Sequence, residues 1–241
     1  MRDLVVPASS LLLSLLAGAA HAGDDTPAKI DYKLTGSYYS AADGNDARDL
    51  NVRASYGVSN AWLGQYRDQQ GFVQERLGGD TRVDLGPARL TINPEFGSGG
   101  YAGLSASAEV GGDTYAILGL SRTNLRPFYN LNFDPGDAIT WGIGSRAVAR
   151  TELALYQVRD NRLGSGQQVS HLSWRYRPDD DQRLTIAASY KSGQTEDSVF
   201  IRGYGLSVGY DYKDYFFRIG REQHANFSPV PMSRFGVGLR F

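Results

Sequence analysis

Apolar and polar residues alternate along almost the whole chain after Lys29, and this period of two constrains the fold more than any other feature. Ile30, Tyr32, Leu34 and Tyr38 interleave with Asp31, Lys33, Thr35 and Ser37. After a polar stretch from Ala41 to Arg48, Leu50, Val52, Ala54, Tyr56 and Val58 interleave with Asn51, Arg53, Ser55 and Gly57. Successive side chains of a strand point to opposite faces, so each segment has one apolar face and one polar or very small face. Helical periodicity is scarce, and the chain reads as all-β.

Turn chemistry divides the alternation into about fourteen segments, with about twelve as the fallback, each long enough for the ~9–11 residues that a tilted membrane strand needs. The connections alternate in length. Tight ones are expected at 59–60, 86–87, 111–113, 178–181 and 213–214, and longer ones at 41–48, 124–137, 192–198 and 223–231. An even number of antiparallel strands with short turns at one end and longer loops at the other is the pattern of a transmembrane up-and-down β-barrel. The facing of Thr114 to Thr123 stays open at this level.

No run of about 18 apolar residues occurs after Gly23, and the mean hydropathy is −0.37, so a spanning helix is not expected. A barrel needs apolar side chains only at alternate positions, so the same low hydropathy is compatible with spanning by strands. The 29 Gly and 15 Tyr against 2 Met fit strands with an aromatic-rich outer surface, although a soluble β-sandwich shares that composition. With no cysteine, stability must come from backbone pairing and burial.

The apolar run Leu11 to Ala20, followed by Ala20-His21-Ala22 before Gly23, has the form of a cleaved signal peptide over residues 1–22, leaving 23–241 as the barrel. The flank is atypical because Asp3 cancels Arg2; a buried N-terminal helix is the alternative. Removing the segment takes away one Arg and one Asp, so the net charge stays at −1 and no basic excess points to nucleic acid.

The last residues, RFGVGLRF, put Phe235, Val237, Leu239 and Phe241 on one face and Arg234, Gly236, Gly238 and Arg240 on the other. This resembles the C-terminal strand of Gram-negative outer-membrane β-barrel proteins. The resemblance implies an outer-membrane location, recognition by the barrel-assembly machinery, and lipopolysaccharide as the surrounding lipid. The order of strand, Gly44-Asn45-Asp46 loop and strand near the N-terminus is similar in architecture to the YaiO group of outer-membrane barrels, and no functional residue is carried over from it. A single chain that closes its own barrel is expected to be a monomer.

If the apolar face meets lipid, the other face lines the lumen. That face carries Lys33, Arg53, Arg76, Arg82, Arg89, Arg146, Arg175, Arg177, Arg218, Arg234 and Arg240 beside Asp31, Asp80, Asp84, Glu95, Glu109 and Glu152. Arg or Lys facing the bilayer midplane costs ~2–4 kcal/mol, so the periodic placement itself argues for the inside. Two arrangements remain open: an ion-paired filling, or a charged path in which Arg53, Arg76, Arg82, Arg89, Arg146, Arg175, Arg218 and Arg234 favour anions. Glycines at 142, 144, 203, 205, 236 and 238 on the inner face are expected to leave free space or to let Arg side chains lie flat.

The longest irregular stretch, NLRPFYNLNFDPGD at 124–137, mixes loop formers with aromatics. It has the material for ordered loop packing, for an inward constriction through Asn130, Asn132, Phe133 and Asp134, or for an oxygen-ligated Ca²⁺. His224 with Ser228, or His171 with Ser173, are the pairs from which a lipid-modifying hydrolase would have to be built, and neither sits in a recognisable motif. No phosphate-binding loop or clustered metal ligands occur, and no cofactor is expected. The function expected is a narrow pore for small polar or anionic solutes, with a barrel hydrolase or a closed structural or surface-binding barrel as alternatives.

Overall fold

A computed structural model describes residues 29–241 as a closed barrel of fourteen antiparallel strands. In chain order these are β1 (Asp31–Ala41), β2 (Ala47–Tyr56), β3 (Ser59–Asp68), β4 (Val73–Leu85), β5 (Ala88–Gly97), β6 (Tyr101–Gly111) and β7 (Thr114–Thr123). There follow β8 (Ala138–Ser145), β9 (Thr151–Asp160), β10 (Gln168–Tyr176), β11 (Gln182–Gln194), β12 (Phe200–Tyr212), β13 (Tyr215–Glu222) and β14 (Met232–Arg240). Every strand pairs with its sequence neighbours, and β1 closes the ring on β14 from Lys33 opposite Arg240 to Ala41 opposite Met232. The expected signal segment 1–22 lies outside the described residues.

Connections at 57–58, 86–87, 112–113, 146–150, 177–181 and 213–214 lie at one end, and those at 42–46, 69–72, 98–100, 124–137, 161–167, 195–199 and 223–231 at the other. The turn expected at 59–60 is instead at 57–58, because Gly57 takes the left-handed φ of +58° that a two-residue hairpin needs, and Ser59 and Asn60 already pair in β3. Strand β11 runs on to Gln194, so the loop expected from 192 begins only at 195.

The barrel is apolar outside. Leu50, Leu104, Leu206, Phe217 and Val237 all face outward and are more than half exposed. An apolar surface wrapping every strand is stable only against lipid, and closure leaves no unpaired sheet edge in it: the chain is a transmembrane barrel. Inside, buried apolar residues form a cluster of Tyr39, Ala41, Ala47, Tyr66, Phe133, Ala225 and Met232 and a smaller one of Val169, Ile201 and Phe227, both set toward the long-loop end. The facing of β7 is now fixed. Leu118 and Leu120 point outward, so Ile117 faces the lumen and breaks the polar inner pattern.

Candidate functional site

On the inner faces of β4 to β10, near the short turns, the register sets opposite charges against one another. Asp84 opposes Arg89, Arg89 opposes Glu109, and Glu152 opposes Arg175 as Cα partners. Their side chains join into one chain: Arg89 lies 3.0 Å from Asp84 and 3.6 Å from Glu109, Arg146 lies 2.7 Å from Glu109 and 2.9 Å from Glu152, and Arg175 lies 2.5 Å from Glu152. Arg82 approaches Asp84 at 3.9 Å, and Arg53 approaches Asp80 at 3.6 Å. The Arg146 guanidinium also sits over the Tyr115 ring, whose hydroxyl donates to Glu152 at 2.8 Å. Five of the arginines assigned to selectivity by the sequence are thus opposed by carboxylates.

Arg76 behaves differently from these. It pairs with Asp49 at a point where both side chains are almost wholly buried. Arg177 lies in the turn after β10 rather than on the inner wall.

The wall formed by β13, β14 and β1 carries cations without this compensation. Arg234, Arg218 and Lys33 descend from the long-loop end toward the short turns, and among the described residues none forms an ion pair. Arg234 lies over the Tyr39 ring and Lys33 over Phe216. Arg240, the direct partner of Lys33 on the same wall, shares Asp211 with Arg183.

Loop 124–137 folds into the barrel and crosses toward this wall. Tyr129 stacks on Tyr66 with ring centroids 3.9 Å apart and meets Tyr39 edge-on at 6.3 Å. Its backbone N–H donates to Gln74 Oε1 at 2.8 Å, while Gln74 Nε2 donates to the Pro127 carbonyl at 3.0 Å. Phe128 stacks on Tyr101, and Phe133 is buried with its backbone at φ +63°. Asn130 Nδ2 donates to the Asp134 carbonyl at 2.7 Å and the Asn132 N–H to Asn130 Oδ1 at 2.8 Å, so both asparagines brace the loop's own turn. Asp134 reaches His171 of β10 at 2.7 Å.

A second loop, 223–231, closes in from the other side. It buries Ala225 and Phe227, and its His224 carbonyl accepts from Lys191, which also pairs with Glu222 at 3.1 Å.

Between loop 124–137 and the inner faces of β5 to β8 there remains a cavity of about 970 Å³. Asn93, Glu95, Ser105, Ser107, Ser121 and Thr140 line its strand wall, and Asp43, Asp68, Asp134, Asp137, Glu196 and Asp197 with Arg122 and Arg126 line it from the loops and strand ends. In a ring of fourteen strands, β7 lies halfway round from β14. The hydroxyl wall therefore lies on the opposite side of the ring from the cationic wall, with loop 124–137 between them.

The inner glycines do not leave the free space expected of them. A Cβ at Gly144 would fall 2.2 Å from the Tyr115 ring and one at Gly238 would fall 2.0 Å from Phe216. In each case the aromatic ring of the directly paired residue lies flat over the glycine. Gly205 is likewise covered by Glu222. A Cβ at Gly236 would meet Ser37 Oγ at 3.3 Å and the Arg218 stem at 3.7 Å.

The two histidines are held by partners other than the serines beside them. His171 faces inward, stacked on Tyr156 and bonded to Asp134. His224 Nδ1 is 2.9 Å from the backbone carbonyl of Ser228 rather than its hydroxyl. Among the described residues no cluster of three or more metal-ligating side chains occurs; Asn130 Oδ1 accepts from the Asn132 N–H, and Asp134 Oδ1 is bonded to His171.

Tyr39, Tyr66 and Gln74, which receive the loop, escape a reading of the sequence by charge alone. They sit at inward positions of β1, β3 and β4, and an aromatic at a parity otherwise filled by polar residues is the one sequence signal that could have marked them. Asp49, Arg183, Lys191, Asp211 and Glu222 are further lumen charges not singled out by the sequence.

No family model matches the sequence, and no curated protein matches it. Among solved structures, the Acinetobacter baumannii outer membrane protein Omp33 aligns with a TM-score of 0.59 at 11% identity, over 90% of this chain and 100% of that one. A mutant of the Rh. blastica porin aligns with a TM-score of 0.50 at 8% identity, over 88% of this chain and 100% of that one. At these identities the likeness establishes the fold.

Proposed function

We propose that this chain is an outer-membrane pore for small polar or anionic solutes, narrowed by loop 124–137. The observation that carries this reading is the inner wall of Arg234, Arg218 and Lys33, three cations without an ion-pair partner among the described residues. A solute entering the lumen meets uncompensated positive charge on that wall, which favours small anions, while the hydroxyls of Ser105, Ser107, Ser121 and Thr140 on the opposite wall can hydrogen-bond polar molecules. The six arginines paired with carboxylates, Arg76 among them, hold the wall rather than set selectivity.

Support for the location comes from the apolar belt and from the two similar barrels, one an outer membrane protein and the other a porin variant. In this reading residues 1–22 are the export signal, the long-loop end is extracellular, and β14 is the strand that the assembly machinery recognises. The barrel works as a monomer within lipopolysaccharide, and the likeness to the YaiO group extends no further than the order of its first strands. The test is single-channel recording of the signal-free protein refolded into planar bilayers under a salt gradient. Steady openings with reversal potentials on the anion side are expected; a folded barrel that conducts nothing would leave it a closed structural or binding barrel.

A further inference from the structure

Arginines on the membrane-facing surface are distributed unevenly. Arg48, Arg67, Arg122, Arg159, Arg202 and Arg221 share the outward parity of exposed apolar neighbours such as Leu50, Leu63, Leu120, Leu155, Leu206 and Ile219. Each lies within three residues of the long-loop end of its strand, and among the described strands no outward Arg or Lys lies at the other end. That other end presents Tyr32, Tyr176, Tyr212 and Tyr215 instead.

Two of these arginines stand at the head of a groove. Strand register aligns Arg67, Arg48, Tyr38, Phe235, Ile219 and Val208 in one row across β3, β2, β1, β14, β13 and β12. The row beneath it is Gln65, Leu50, Gly36, Val237, Phe217 and Tyr210. Together they line an outward depression of about 1280 Å³. At its middle is Gly36, where an added Cβ would meet no atom within 4 Å. Six strands at ~4.8 Å spacing make the depression roughly 24 Å across, wider than one alkyl chain.

Arg48 and Arg67 are direct Cα partners, an arrangement of like charges that destabilises a sheet unless an anion sits between them. Among the described residues neither has an ion-pair partner. The nearby carboxylates are engaged elsewhere. Asp46 accepts from Tyr38 and from the Ala41 N–H, and Asp68 accepts from the Phe72 N–H and Asn45. Glu75, the one outward carboxylate close by, sits beside Gln65 at the edge of the groove.

We propose that this groove binds one phosphorylated, multiply acylated glycolipid of the outer leaflet, its phosphate between Arg48 and Arg67 and its acyl chains over Gly36 against Phe235, Val237 and Phe217. The proposal rests on the outer-membrane placement given above. It does not require that the lumen conduct.

The test is native mass spectrometry of the folded, signal-free barrel in detergent, titrated with lipid A, with lipid A stripped of its phosphates, and with phosphatidylglycerol. One lipid A is expected to stay bound to the unaltered protein. Affinity should fall at least about tenfold in R48Q/R67Q and for dephosphorylated lipid A, from loss of charge-assisted hydrogen bonds. Gly36→Leu, which fills the floor without touching the arginines, should lose lipid A as well.

Unchanged binding in both variants would overturn the proposal. Equal retention of phosphatidylglycerol would overturn the glycolipid, and a protein dimer in place of a lipid adduct would assign the groove to a second copy of the chain. Fractionation of cells expressing the full chain separates the two levels. A barrel absent from the outer membrane removes the premise, whereas one found there without lipid A affinity removes only the groove.

Discussion

His171 Nε2 lies 2.7 Å from Asp134 Oδ1, joining the inner face of β10 to the loop that crosses the lumen. The imidazole is held from behind by stacking on Tyr156, with ring centroids 4.7 Å apart, so the contact acts as a fixed latch for the loop. Replacing His171 with Phe keeps the stacked ring and removes the bond. The expected outcome is a barrel of unchanged stability whose open-channel current is noisier, read from single-channel recordings.

The opposite flank of the loop is held by packing. Tyr129 lies between Tyr66, Tyr39 and Phe133, and its truncation removes contacts with all three. Tyr129→Ala is expected to cost the loop's seat about 3–5 kcal/mol while leaving the strand ladders closed. Conductance should rise and heat-modified mobility on gels should be retained.

Asp49 and Arg76 form the most buried ion pair in the lumen. Removing one partner strands the other charge away from water, a loss of about 3–5 kcal/mol for Asp49→Ala. Replacing both with apolar residues of similar volume, as in D49L/R76M, should recover most of it. Urea unfolding in liposomes distinguishes the two outcomes, and equal loss in both variants would show that the charge pair itself supplies the stability.

In the first loop, the Tyr38 hydroxyl and then the Ala41 N–H hold the Asp46 carboxyl below the ordinary aspartate range. A folded-state value below the unfolded one stabilises above the unfolded pKa, and that contribution is lost as pH falls through the folded value. The loop anchor therefore survives mild acid and is released only below the usual aspartate titration. Tyr38→Phe should move the Asp46 transition upward, as followed by carboxyl-resolved NMR titration.

The closed fourteen-strand ring and the facing of most strands were legible in the sequence, because lipid imposes a strict period of two on the outer face. Where the pattern weakened, the sequence could not decide. Ile117 faces the lumen and so masked the facing of β7, and the hairpin turn at 57–58 hinged on the backbone of one glycine.

The inner wall was legible as a set of charges but not as a circuit. Pairing depends on which residues register places side by side, as with Glu152 and Arg175, and that is a property of neighbouring strands rather than of one. The same limit explains the glycines: nothing local to Gly144 tells that Tyr115 of the adjoining strand will lie across it. Loop 124–137 offered its aromatics openly, whereas its seat of Tyr39, Tyr66 and Gln74 is assembled only when the barrel closes.

Reversal of charge on the cationic wall tests the pore most directly. In R218E/R234E the lumen dimensions change little while two positive charges become negative, so reversal potentials under a tenfold salt gradient should move from the anion to the cation side. Selectivity that stays unchanged in conducting channels of this variant would contradict the assignment of solute choice to Arg218 and Arg234.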